Sequence, residues 1–254
     1  MMRASLALEA ESAFFASMPE RYREAFESAD AREHAAIVSR RGGAPAHLEI
    51  WRRIPDGGAI LCVVGDDRPG LLSFISAALL VHKMDVIGAK VFTRSAGAAN
   101  AARGAEAVDF FWIRRDAALA MPVLRADILG IGDVLGALVR GELTVESVAR
   151  QSRASRPVPR GAFTHATFDD AGDGLTELTV QTFDRPGLLL SISHALFRAQ
   201  VQIVESEATT REGRVVDRFT IAELDGSPVS RQKRGVVQME VLGAIDALTR
   251  GSLS

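Results

Sequence analysis

The chain has 254 residues, 47% hydrophobic and 24% charged, and its 30 basic and 32 acidic side chains leave a formal net charge of −2. That composition excludes a disordered chain, and the near-neutral balance speaks against a dedicated nucleic-acid binder, which carries a basic excess. No apolar run approaches the roughly 18 residues of a membrane span, and one cysteine, Cys62, excludes an internal disulfide and a multi-cysteine metal site.

In chain order, Ser5, Leu6, Glu9 and Glu11 do not make a signal peptide, so a cytoplasmic protein is expected. Phe14, Phe15, Met18, Tyr22, Phe26, Ile37 and Val38 predict helices with an apolar face. Arg40-Arg41-Gly42-Gly43-Ala44-Pro45 reads as a linker. A short extended stretch at His47–Trp51 precedes a buried strand at Ile60–Val64, with Cys62 as a small apolar core residue. The turn Asp67-Arg68-Pro69-Gly70 follows, with its proline expected at the helix start, where the missing N–H costs nothing. Leu71, Leu72, Ile75, Ala78 and Leu79 then recur at helical spacing. Strands are predicted over Val86–Thr93 and Val108–Ile113, joined by a Gly/Ala-rich hairpin loop within Ser95–Ala105. An amphipathic helix follows near Val123–Arg140, and Arg150–Arg160 is a polar, proline-bearing linker.

The rest repeats this order. Asp184-Arg185-Pro186-Gly187-Leu188-Leu189 opens a segment matching the first turn and helix at ten of thirteen positions, at an offset of 117. Val216-Asp217-x-Phe219-x-Ile221 answers Val108-Asp109-x-Phe111-x-Ile113. Thr164–Phe168, Leu178–Thr182 and Val201–Thr210 are the matching strands, and Ser230–Thr249 the matching helix. The organisation expected is a helical segment and linker over 1–45, one domain over 46–152, a linker over 153–160 and a second domain over 161–254. Each domain has the order β-β-α-β-β-α. That is a ferredoxin-like β-α-β-β-α-β unit with its last strand moved to the front. Each leading strand either stays in its own copy or completes the other copy's sheet.

A strand feeding a helix through Asp-Arg-Pro-Gly exposes backbone N–H groups that attract anions. Gly70 and Gly187 lack a Cβ and let a carboxylate approach. Asp67 and Asp184 can accept a hydrogen bond from an ammonium group. Together these suit an amino-acid zwitterion. The competing structural account has Asp capping the helix, Pro stiffening the turn and Gly permitting close packing.

The paired Asp-Arg-Pro-Gly-Leu-Leu…Ile-Ser-x-Ala-Leu motifs resemble the ACT domain, and their spacing resembles the C-terminal ACT pair of bacterial PII uridylyltransferase/uridylyl-removing enzymes. Phe15-x-x-Met18-Pro19-x-Arg21-Tyr22, with His34 further on, resembles the segment before that pair. The resemblance implies an α+β fold of two ferredoxin-like domains with antiparallel sheets behind a short helical segment. It implies ligand contacts from Asp67, Arg68, Pro69, Gly70, Leu71 and Leu72 and from Asp184, Arg185, Pro186, Gly187, Leu188 and Leu189. It adds the second-strand residues Asp85 and Val86, and Gln202 and Ile203, with Asp85 and Gln202 making the two sites unequal. The expected function is regulatory sensing of an amino acid, glutamine favoured, with readout through a protein partner or homo-oligomer. The alternatives are a non-catalytic interaction or oligomerisation module and a separately encoded regulatory part of a uridylyltransferase. Neither the transferase metal pair after a Gly-Ser nor the hydrolase His-Asp dipeptide is present, so no catalytic residue, cofactor or metal is expected. The histidines, His34, His47, His82, His165 and His194, have no ligand spacing and read as surface or packing residues. No nucleic-acid or membrane partner is expected.

Overall fold

The computed structural model describes residues 12–94, 104–115, 121–151, 163–172 and 174–249. Residues 12–17 are helical, followed by α1 (Glu20–Ala25) and α2 (Ser28–Arg41). The first copy is β1 (Ala46–Arg53), β2 (Ala59–Asp66), α3 (Leu71–Val81), β3 (Met84–Arg94), β4 (Glu106–Arg115) and α4 (Arg125–Val139). A short helix, α5 (Val145–Gln151), comes next. The second copy is β5 (His165–Asp170), β6 (Thr176–Phe183), α6 (Leu188–Arg198), β7 (Val201–Arg211), β8 (Arg214–Glu223) and α7 (Arg231–Thr249).

All eight strands form one antiparallel sheet in the order β1-β2-β4-β3-β7-β8-β6-β5. The chain is therefore α+β. Each leading strand stays in its own copy, β1 beside β2 and β5 beside β6. The hairpin residues 95–103 and the linker 153–160 lie outside the described residues. The 150–160 linker expectation fails at its start, because Arg150 belongs to α5, whose Val145, Val148 and Ala149 pack on Ala77, Leu80, Leu138 and Leu190.

The two copies meet at β3 and β7, where Gly88 faces Thr209 and Phe92 faces Glu205 in mirrored register. Lys90 faces Glu207, with Nζ 2.9 Å from Oε1. These two residues stand at the same place in their repeats, 117 apart. On the helix side α3 packs against α6, and a single apolar core runs through both copies from Leu61, Phe111 and Ile131 to Leu178, Phe219 and Val241.

The opposite sheet faces differ, and the strands show why. In β2, Leu61 and Val63 face the helices while Ile60, Cys62 and Val64 are buried beneath the N-terminal helices. A strand buried on both faces reads as a continuous apolar run. In β6, Leu178 and Val180 are buried while Gln181 is exposed, the alternation of a strand with one wet face. The cover over the first copy is aromatic: Phe14, Tyr22 and Phe26 pack on Phe92 and Phe110. Tyr22 Oη lies 2.6 Å from His34 Nδ1, and burial pushes the His34 imidazole down to about 3, so it stays neutral in the core. Burial also pushes the Cys62 thiol up. Arg41 is not linker: it ends α2, is almost fully buried, and reaches Asp66 at 2.5 Å and Glu106 at 2.7 Å. Glu106 also accepts from Arg94 at 2.8 Å, so one cation-anion network pins the helical cover to β2, β3 and β4.

The seam pair is testable. Both side chains are partly exposed, at 30% and 49%, so solvent screens them. Lys90→Glu sets two carboxylates opposite each other and is expected to cost about 0.5–1 kcal/mol at low salt. The double exchange Lys90→Glu with Glu207→Lys is expected to restore the parent denaturation midpoint at unchanged m-value.

Candidate functional site

Each turn is built by its proline and glycine. The Leu71 N–H donates to Arg68 O at 3.2 Å, and the Leu188 N–H to Arg185 O at 3.2 Å. Gly70 sits at φ 86°, ψ −3° and Gly187 at φ 81°, ψ 7°. These are the values of the third residue of a type II turn, where proline suits the second position. The prolines therefore precede the capping residue rather than opening the helix, and the glycines are the caps. No side chain caps either helix. Asp67 does not cap. Its carboxylate accepts from Thr93 Oγ1 at 2.9 Å and from the Gln202 side chain.

Two small cavities straddle the α3–α6 contact, and each joins one copy's turn to the other copy's second strand. The first is lined by Asp67–Ser73 and Asp109 of the first copy with Phe197, Gln202 and Ile203 of the second. The second is lined by Asp184–Leu190 and Asp217 of the second copy with Leu80, Asp85 and Val86 of the first. All sixteen sequence-predicted site residues line one or other cavity, paired across the copies. The volumes are about 30 Å³ and about 50 Å³. Ligand pockets run to roughly 300 Å³ and above, whereas a site of about 15 Å³ accommodates one water-sized group.

What fills the space is a side chain from the other copy. A Cβ added at Gly70 would stand 3.1 Å from the Phe197 ring, and one at Gly187 would stand 3.2 Å from Leu80. Leu80 and Phe197 are repeat equivalents, so each copy seats the same helical position over its neighbour's turn glycine. The expected open approach to the glycines is thus occupied by these side chains.

The arginines serve packing and capping. Arg68 Nη2 donates to Val139 O at 2.8 Å, at the end of α4, and its guanidinium lies 5.2 Å from the Phe74 ring centre. Arg185 is buried and donates to Thr182 Oγ1 at 2.8 Å and Phe183 O at 3.2 Å.

The strand repeat hides two further site residues. Asp109 and Asp217 stand at equivalent places on β4 and β8, are 1% and 2% exposed, and line their respective cavities. Asp109 Oδ1 accepts the Phe92 N–H at 3.3 Å. Asp217 accepts the Thr209 N–H, but its Oδ1 has no partner. Burial raises both, Asp109 well above the carboxylate range and Asp217 to about 8, with Asp67 and Asp184 adding repulsion. Their signal was available: each shares strand parity with a buried Phe and Ile, so each places an acid on the core face.

The cavities are unequal. Gln202 satisfies Asp67 in the first. In the second, Gln202 is replaced by Asp85, which lies 3.7 Å from Arg114, so three carboxyls, Asp85, Asp184 and Asp217, line one small space.

A third cavity of about 660 Å³ lies between α5, α6 and α7 and was not foreseen. There His194 Nε2 meets Glu146 Oε1 at 3.1 Å, and burial pushes the imidazole down. Among the described residues no cluster of His, Cys, Asp and Glu forms a metal site, and no helix is long and apolar enough to cross a membrane.

Two outcomes are expected. Gly187→Ala forces a positive φ on alanine and crowds Leu80, a loss of about 1–2 kcal/mol in thermal or chemical unfolding. Asp217 keeps its proton in the fold to about pH 8, whereas the unfolded chain gives it up near 3.8. Its stabilising contribution is therefore full below pH 3.8 and lost as pH rises to about 8, by no more than about 1.4 kcal/mol per pH unit. Asp217→Asn should flatten that slope in unfolding measured from pH 4 to pH 8.

No family model matches the chain. It is 28% identical over 238 residues to the bifunctional uridylyltransferase/uridylyl-removing enzyme of Phenylobacterium zucineum, covering 90% of this chain and 24% of that protein. It is 30% identical over 191 residues to the same enzyme of Ruegeria pomeroyi, covering 72% and 20%. The Gluconobacter oxydans enzyme is 29% identical over 218 residues, covering 81% and 21%. Among solved structures, a double ringed trimeric shell protein from the RMM microcompartment superposes with a TM-score of 0.25 at 11% identity, covering 80% of this chain and 95% of that one, too little to carry an argument. The chain spans a fifth to a quarter of the length of the curated relatives it matches, and it is homologous to that part of the bifunctional uridylyltransferase/uridylyl-removing enzymes.

Proposed function

We propose that the chain is a regulatory module that senses an amino acid, glutamine favoured, at the two Asp-Arg-Pro-Gly turns. One observation carries the reading. Each turn is completed by the start of the other copy's second strand, so a ligand there touches both copies at once. That is how ACT-type pairs hold amino acids, and the strand order within each copy is the ferredoxin-like one with the leading strand at the edge place.

Binding at such a seam biases the arrangement of the two copies, because a ligand shifts an equilibrium only through differential affinity for its states. Entry requires Leu80 or Phe197 to leave its seat over the turn glycine, which links occupancy to the α3–α6 contact. The reading is non-catalytic. It is supported by similarity to only a minor part of the relatives' length, and it assigns output to a protein partner or a second copy. A uridylyltransferase catalytic unit is the partner this similarity favours.

A second reading has its own observation. Both turn cavities are filled by the neighbour's side chain, as expected of a pair that has become a purely structural assembly module. Calorimetric titration with a panel of amino acids separates the two. Saturable heat with glutamine, or another single amino acid, is the expected result, accompanied by a rise in melting temperature with ligand concentration. No heat from any of them sinks the sensing reading in favour of the assembly module.

A further inference from the structure

The cavity of about 660 Å³ between α5, α6 and α7 lies apart from the turns and shares only Leu190 with their cavities. Its volume is more than ten times that of either and falls within the roughly 300–1,000 Å³ of small-molecule pockets. The repeat shows what has changed here. In the first copy, Phe74, Ala77 and Val81 of α3 belong to the apolar cluster on which Val145, Val148 and Ala149 of α5 pack. The equivalent positions on α6, 117 residues on, are Ser191, His194 and Arg198, and they line the cavity. A covered apolar surface in one copy has become a polar-lined cavity in the other. Ser191 is 4% exposed, and neither its Oγ nor His194 Nδ1 has a hydrogen-bond partner. Buried polar atoms left in that state are costly, and native folds retain few of them.

What these two atoms need follows from their chemistry. Ser191 and His194 stand three residues apart, on one face of α6. His194 Nε2 lies 3.1 Å from Glu146 Oε1, and a carboxylate can only accept, so Nε2 carries the ring hydrogen. Burial lowers the imidazole's affinity for a second proton, which leaves Nδ1 as a bare acceptor. The Ser191 hydroxyl can donate beside it. The complement is an N–H next to a carbonyl, the edge of a cyclic amide. Ala149 of α5 and Gly243, Ala244 and Ala247 of α7 carry nothing beyond Cβ, so the lining they form suits the face of a flat ring. The four charged groups, Glu146, Arg150, Arg198 and Glu240, sum to zero, and Arg198 lies 3.6 Å from Glu240, which suits an uncharged ligand. We propose that this cavity is a second ligand site, taking an uncharged planar cyclic amide of nucleoside size whose N–H donates to His194 Nδ1 and whose carbonyl accepts from Ser191 Oγ. Binding there touches α5, which packs on the first copy, and the two helices of the second, so it clamps the copies together from the helix side.

This site does not depend on amino-acid sensing at the turns. The test is calorimetry on the full chain at about pH 7.5, where an unperturbed or lowered imidazole is neutral. The probes are inosine and thymidine, each beside its N-methylated form, 1-methylinosine and 3-methylthymidine, which keep the ring and lack the amide N–H. Saturable binding of at least one nucleoside is expected, weakened about tenfold or more by the methyl group. Ser191→Ala removes an unsatisfied buried hydroxyl, so it is expected to melt at or above the parent temperature and to weaken nucleoside binding about tenfold. Ser191→Phe installs the first copy's residue in the cavity and is expected to abolish binding. Should that variant fail to fold, Ser191→Ala and the methylated probes still decide. Equal affinity for a nucleoside and its methylated form, or parental affinity in Ser191→Ala, overturns the site. Heat from glutamine with none from either nucleoside overturns it and leaves the amino-acid reading standing, whereas heat from a nucleoside with none from any amino acid supports the site and removes that reading.

Discussion

The pairing of β3 with β7 is the constraint on which the rest of the molecule depends. It turns two four-stranded units into one sheet and so fixes where their helices stand. Once the strands are in register, α3 and α6 must lie side by side on the same face. Each turn then finds its missing wall on the other copy. Leu80 reaches Gly187, Phe197 reaches Gly70, and Gln202 reaches Asp67. Neither cavity exists within a single copy. Whatever loosens the seam also opens both cavities, and whatever enters a cavity acts on the seam.

The copies have diverged around this shared frame in ways that follow from what each must cover. The N-terminal helices bury their apolar face on the first copy, whose outer face carries Ile60, Cys62, Val64 and Phe110 to receive them, while Arg21 reaches across to Glu205 at 3.2 Å and Thr220 Oγ1 at 3.3 Å on the second. Beyond that reach, the second copy's outer face exposes Gln181 and Arg218. Inside, the divergence is electrostatic. Replacing Gln202 by Asp85 removes a donor and adds a negative group, so two cavities of one origin have different preferences. The buried acids remain tolerable because a carboxyl in an apolar setting holds its proton instead of its charge.

Much of this was legible in the chain, because the information was local and repeated. Periodicity located the strands and the long helices, and the offset of 117 located both turns and their partner strands. The turn chemistry was half legible. Proline and glycine mark a turn, but which helical position each takes depends on the bond from Leu71 N to Arg68 O, a detail of geometry. The contact between Phe197 and Gly70 was not legible, since nothing in either helix says which neighbour it will face. Arg41 looked like linker because its partners, Asp66 and Glu106, are distant in sequence. The α5 helix was missed because seven residues carry too little periodicity, and its apolar face is defined by Ala77 and Leu190 rather than by itself. Asp109 and Asp217 were visible as repeated letters, yet their chemistry became evident only beside the cavities.

The Lys90–Glu207 pair has a consequence in terms of symmetry. In a ring of two identical chains, a residue at the rotation axis meets its own copy, so any charge placed there meets the same charge. Joining the repeats covalently lifts that identity, and the two axial positions become free to carry opposite signs. Two first halves would set Lys90 against Lys90, and two second halves Glu207 against Glu207. Only the mixed pairing brings the ammonium to the carboxylate. A single pair at the axis therefore tells each half that its proper mate is the other half, not itself.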